Sequence, residues 1–135
     1  MSPPNRSTMI PERRLAPGAE PGEAATIMVV DDDEDTRLAL CDTLADLGHT
    51  AVPRSDGEAA LREIDREDLD LVLTDMKMPG MSGIELCRIV VGDRPDVPVV
   101  VMTAFGDVDA AVGALRAGAF DFITKPVGMT QLADA

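Results

Sequence analysis

The chain has 135 residues, 45 % apolar and 27 % charged, with three Phe and neither Trp nor Tyr. That allows one domain with an aliphatic core of Val, Leu, Ile, Met and Ala. The formal net charge is −13; Arg6, Arg13 and Arg14 balance Glu12, Glu20 and Glu23 within residues 1–26, so the whole excess lies in residues 27–135. Such an acidic domain is a poor binder of the nucleic-acid backbone, which needs Lys and Arg, and is suited instead to metal ions and basic partner surfaces.

Residues 1–25 hold Pro3, Pro4, Pro11, Pro17 and Pro21 with Gly18 and Gly22, and are expected to form a disordered leader. The pattern changes at Thr26. Thr26-Ile27-Met28-Val29-Val30 is apolar on both faces, as a central parallel strand is, and it stops at Asp31-Asp32-Asp33. Residues from about 34 to 47 predict a helix with Leu38, Cys41, Leu44 and Leu47 inward, closed by Gly48. Thr50 to Arg54 reads as a short strand. A second helix starts at Asp56-Gly57, with Ala59, Ala60, Leu61 and Ile64 inward. Leu69 and Leu71-Val72-Leu73 form the next strand, ending at Thr74-Asp75.

The rhythm then repeats. A Met78-Pro79-Gly80-Met81-Ser82-Gly83 loop leads into a helix over Ile84–Val91, and a strand over Val97–Met102 ends at Thr103. Asp107–Ala117 predicts a helix carrying Val108, Ala111, Val112 and Leu115, closed by Gly118. Phe120–Ile123 is a strand ending near Thr124-Lys125-Pro126, and Met129 begins one turn of a fifth helix. Alternating strands and helices with short connections predict an α/β doubly wound fold with a parallel sheet. Ligands of such sheets bind beyond the carboxyl ends of the strands.

Polar residues gather at that edge. The apolar strands break at Asp31-Asp32, Asp75, Thr103 and Lys125. Clustered carboxylates repel one another, and a hard divalent cation such as Mg²⁺ relieves the conflict through oxygen ligands. A carboxylate beside such a cation is a nucleophile for forming an acyl phosphate, with Lys125 and the Thr103 hydroxyl as partners for the phosphoryl charge. Each residue has a plainer reading: Asp32 or Asp33 as a helix N-cap, Thr103 as a β-branched strand residue, Lys125 as a surface charge. Their joint convergence on one sheet edge favours the chemical reading. Cys41 and Cys87 lie in helical patterns with no CxxC and are expected to be free, partly buried thiols. His49, at a helix end, is expected to be a turn or surface residue.

The segments Val29-Val30-Asp31-Asp32, Leu73-Thr74-Asp75-Met76-Lys77-Met78-Pro79-Gly80-Met81-Ser82-Gly83, Val101-Met102-Thr103-Ala104 and Phe122-Ile123-Thr124-Lys125-Pro126 together resemble a response-regulator receiver domain of two-component signalling. The resemblance covers residues 26–135. It implies a flavodoxin-like five-stranded sheet in the order 2-1-3-4-5. It further implies Asp75 as phosphoacceptor, with Asp32, Asp75 and the Lys77 backbone carbonyl binding Mg²⁺ directly and Asp31 through water. Thr103 and Lys125 would meet the phosphoryl group, Ala104 would leave access to it, and Phe122 would be the aromatic switch. The loops most resemble the nitrogen-regulatory class, whose receivers usually precede an AAA+ ATPase and a DNA-binding domain.

By the same resemblance the phosphodonor is a sensor histidine kinase, read through the first helix. A homodimer would use the fourth helix and fifth strand. Because the sequence stops at Ala135 with barely a turn of the last helix, a receiver truncated there and a longer parent regulator are expected, with dimerisation weakened. Three rivals fare worse. An EF-hand from Asp31 would have Thr36 and Asp42 where Gly and Glu are needed. A haloacid-dehalogenase-type phosphatase needs Thr or Val where Asp35 stands. An unphosphorylated scaffold usually lacks the acidic pair, the acceptor or the Lys, all present here. No apolar run approaches the roughly 18–20 residues that span a bilayer, and no signal-peptide core opens the chain, so the expected location is the cytoplasm.

Overall fold

The computed structural model describes residues 24–104 and 106–125. Residues 1–23 of the expected leader and the helical turn expected from Met129 lie outside the described residues; the leader's last residue, Ala25, is instead buried and hydrogen-bonded to His49 and Thr50. Within them the elements are β1 (Thr26–Val30), α1 (Glu34–Asp46), β2 (Thr50–Arg54), α2 (Gly57–Leu61), β3 (Leu71–Asp75), α3 (Gly83–Asp93), β4 (Val99–Ala104), α4 (Val108–Arg116) and β5 (Asp121–Lys125). The strands form one parallel sheet in the order β2-β1-β3-β4-β5, the flavodoxin-like arrangement.

Strand alternation divides the core in two. Met28, Val30, Val72, Val99 and Val101 face one side, against Leu86, Cys87 and Val90 of α3 and Ala114 of α4. Ile27, Val29, Leu71, Leu73, Val100 and Met102 face the other, against Leu40 and Leu44 of α1. Burial on both sides explains why β1, β3 and β4 read as unbroken apolar runs. Each fully buried aliphatic side chain here stabilises the fold by roughly 1.5–3 kcal/mol.

Side-chain caps start the helices where the connections demand. Asp33 accepts from the Thr36 amide at 2.9 Å, Asp56 from Ala59 at 2.7 Å and Asp107 from Ala110 at 3.0 Å. Ser82 and Glu85 form a reciprocal capping box on α3. Gly48, with φ +93°, closes α1 in a left-handed conformation. His49 is structural: its Nδ1 accepts from the Ala25 amide at 3.1 Å. Both cysteines are free, Cys87 buried and Cys41 half-buried.

Two helix faces differ from expectation. In α1, Leu38 is 49 % exposed and Leu40 takes its place inside, because Leu40 and Leu44 share one face four residues apart. In α4, Val108, Val112 and Leu115 are exposed while Ala111 and Ala114 are buried. Small residues let this helix lie close, and its larger apolar side chains are turned outward. At the strands the shifts are small. β4 begins at Val99, after Pro98, whose missing N–H cannot serve a ladder, and β5 begins at Asp121.

Candidate functional site

The site stands at the carboxyl ends of β1, β3, β4 and β5. β1 runs into Asp31, which is fully buried, while Asp32 is exposed and Asp33 caps α1. Asp31 is held from several directions. Its amide donates to the Arg54 carbonyl at 3.2 Å, its Oδ1 accepts from the Asp33 amide at 2.9 Å, and its carbonyl accepts from Arg37 Nη1 at 2.7 Å.

β3 delivers Asp75, only 8 % exposed, whose Oδ1 accepts from the Met76 amide at 2.9 Å. Its carbonyl accepts from Thr74 Oγ1 at 3.0 Å. α3 starts directly over this carbonyl: a Cβ on Gly83 would stand 2.1 Å from it, so only glycine fits. One oxygen from each of Asp31, Asp32 and Asp75 lies within 4.8 Å of the others. Lys125, at the end of β5, joins two of these groups, with Nζ 3.1 Å from Asp75 Oδ1 and 3.2 Å from Asp31 Oδ2.

The charges are unbalanced. Three carboxylates against one ammonium leave a formal excess of two negative charges. Burial pushes the Asp75 carboxyl up, and repulsion from Asp31 adds to this, against the Lys125 pair and the Met76 amide. Burial works to lower Lys125, but its pairing with Asp75 and Asp31 outweighs that and raises it. Lys125 is therefore a firm ammonium.

Among the described residues, two buried polar atoms are left without a hydrogen bond: Asp31 Oδ2 and Thr103 Oγ1. The first has the Lys125 ammonium near it in an ion pair but no well-directed donor. An orphaned carboxylate oxygen, a double negative excess and an all-oxygen donor set fit a hard divalent cation. The orphaned hydroxyl of Thr103 fits an acceptor that arrives with a ligand.

Two cavities adjoin these groups. One of about 620 Å³ is lined by Asp75, Met76, Lys77 and Lys125 and by Leu40 and Thr43 of α1. A smaller one, about 180 Å³, is lined by both Thr103 and Phe122, with Val108 and Leu115 of α4. The structure thus brings Asp31, Asp32, Asp75 and Lys125 together, sets Lys77 at the cavity that Asp75 and Lys125 line, and puts Thr103 and Phe122 around a shared space.

Sequence reasoning missed two supports. Gly83 carries a signal, a glycine in the first turn of a capped helix. Arg37 carries none, since its partner is a backbone carbonyl six residues earlier.

A family model described as the response regulator receiver domain matches residues 27–135. The chain belongs to this receiver-domain family. It is 44 % identical over 111 residues to the response regulator protein FleR of Pseudomonas aeruginosa, covering 82 % of this chain and 24 % of FleR. It is 40 % identical over 105 residues to the DNA-binding transcriptional regulator NtrC of Escherichia coli K12, covering 78 % of this chain and 22 % of NtrC. Among solved structures, the receiver domain of NtrX from Brucella abortus superposes with a TM-score of 0.74 at 35 % identity, covering 78 % of this chain and 90 % of that one. The receiver domain spans less than a quarter of the length of these curated relatives. The phosphoacceptor role of two-component receivers follows from the family, and the relatives are regulators of the nitrogen-regulatory class. Among the described residues no helix is long and apolar enough to cross a membrane.

Proposed function

We propose that Asp75 is the phosphoacceptor of this receiver domain, taken as residues 26–135. Mg²⁺ would be held by Asp32, Asp75 and the Lys77 backbone carbonyl, with Asp31 acting through water. When bound, it would supply positive charge against the incoming phosphoryl oxygens. The observation that carries this reading is the pairing of Lys125 with both Asp31 and Asp75 beside a buried, unpartnered Thr103 hydroxyl.

An Asp75 carboxylate oxygen attacks phosphorus. The O–P bond forms as the donor's bond to phosphorus breaks, and the leaving group departs with the electron pair. No general base is required, because the nucleophile is already ionised. Lys125 then pairs with the phosphoryl group, and Thr103 donates its free hydroxyl to a phosphoryl oxygen. Movement of Thr103 opens or fills the cavity it shares with Phe122, whose rotamer follows. The chain is a signalling phosphoacceptor, catalysing only its own phosphotransfer and dephosphorylation.

The physiological donor is a sensor histidine kinase. The output, in a longer protein, is an AAA+ ATPase with a DNA-binding domain, while this acidic domain binds no nucleic acid itself. The exposed apolar face of α4 beside β5 supports a homodimer there. The site of action is the cytoplasm.

Intact mass measured after incubation with Mg²⁺ and acetyl phosphate tests the reading. One added phosphate is expected, absent from Asp75→Asn and absent without Mg²⁺. An unmodified wild-type chain under those conditions would sink it.

A further inference from the structure

α1 begins at Glu34, so Arg37 stands near its amino end, where a positive charge opposes the helix dipole. Its guanidinium reaches back to β1, and Nη1 donates to the Asp31 carbonyl at 2.7 Å. That carbonyl belongs to the peptide unit joining Asp31 to Asp32. The unit is planar, and its two ends are the Cα atoms from which both carboxylates hang. One hydrogen bond from Arg37 therefore sets the plane that carries two of the three acidic groups.

Asp31 has further anchors in the Arg54 carbonyl and the Asp33 amide. Asp32 is exposed, yet its carboxylate stays within 4.8 Å of the other two. Its placement rests on the backbone, and there Arg37 acts.

We propose that Arg37 is a positioning residue for the divalent-cation site, working through the Asp31–Asp32 peptide; this rests on the cation site proposed above. Arg37 has two opposed effects on an incoming cation. Its charge repels, but water and salt damp that repulsion at a half-exposed group. Its hydrogen bond holds ligands in register, and partners that orient metal ligands commonly alter affinity by roughly 10–100-fold. Positioning outweighs repulsion.

The two effects predict opposite signs, which makes the test decisive. Mg²⁺ alone is titrated calorimetrically into the wild-type chain, Arg37→Ala and Arg37→Lys. The melting temperature of each metal-free protein is followed by circular dichroism. Arg37→Ala is expected to bind on the order of tenfold more weakly. Its melting temperature should be unchanged, because Leu40 and Leu44 hold α1 to the sheet. Arg37→Lys keeps an N–H donor on a long stem and should recover part of the loss.

Unchanged or tighter binding in Arg37→Ala overturns the proposal. So does a loss that follows a fall in melting temperature, or one that Arg37→Lys does not relieve at all. A wild-type chain that takes up no Mg²⁺ overturns the cation site itself, and this inference with it.

Discussion

β3 and β5 are both five residues long and both end in a charged group of the site, yet they are held very differently. Every residue of β3 is buried, with a strand on each side. Every residue of β5 is only half-buried, at the end of the sheet order. α4 extends the contrast. α3 seals its side of the sheet with Leu86, Cys87 and Val90, whereas α4 packs through Ala111 and Ala114 and leaves Val112 and Leu115 in solvent. The proposed acceptor thus lies in the most enclosed part of the sheet. Lys125 and Phe122 stand where local rearrangement costs less. A phosphorylation switch needs that division: a rigid place to receive the group and an adaptable place to report it.

Paired truncations in α3 and α4 should separate the two regions most clearly. Leu86→Ala should cost about 2–5 kcal/mol in urea denaturation, because the cavity opens in a fully enclosed site. Leu115→Ala, on the outer face of α4, should stay within about 0.5 kcal/mol of wild type. Equal costs would mean that α4 is held as firmly as α3, and the division would fail.

A smaller effect is expected at the seam between β3 and α3. Gly83→Ala drives a methyl group into the Asp75 carbonyl, and overpacking of this kind costs about 1–3 kcal/mol. Phosphorylation by acetyl phosphate should slow along with the loss of stability. Retained stability with an unaltered phosphorylation rate would show that the end of β3 yields more easily than its burial implies.

The smallest effect tests the edge strand. Burial raises the Asp121 carboxyl, which accepts from the Phe122 amide and meets no cation among the described residues. Such a group binds its proton more tightly folded than unfolded. Its contribution to stability is therefore favourable as pH falls toward 3.8 and is lost as pH rises through the raised value. Asp121→Asn should raise the melting temperature at neutral pH, with the gain shrinking in acid. A gain independent of pH would point to some cause other than this carboxylate.

Much of the fold was legible because β1, β3 and β4 are buried on both faces. A strand enclosed on both sides must be apolar throughout, so its end shows where the apolar run stops. That rule located Asp31, Asp75 and Thr103 at one edge without any contact information. The helices were less legible. Leu38 and Leu115 have the hydropathy of core residues, but burial on a helix depends on what lies opposite, and in α4 alanines face the core instead.

The site divides the same way. Residue types and strand-end spacing alone determined that three carboxylates, a hydroxyl and an ammonium share the carboxyl edge of the sheet, since parallel strands send all their ends the same way. Only the tertiary structure decided that Lys125 bridges Asp31 and Asp75, that Gly83 must lack a side chain and that Arg37 grips the Asp31 carbonyl. The reason is that hydropathy records how much of a residue must leave water. Distances across elements are set by how closely the backbones approach, and that is a property of the packed whole.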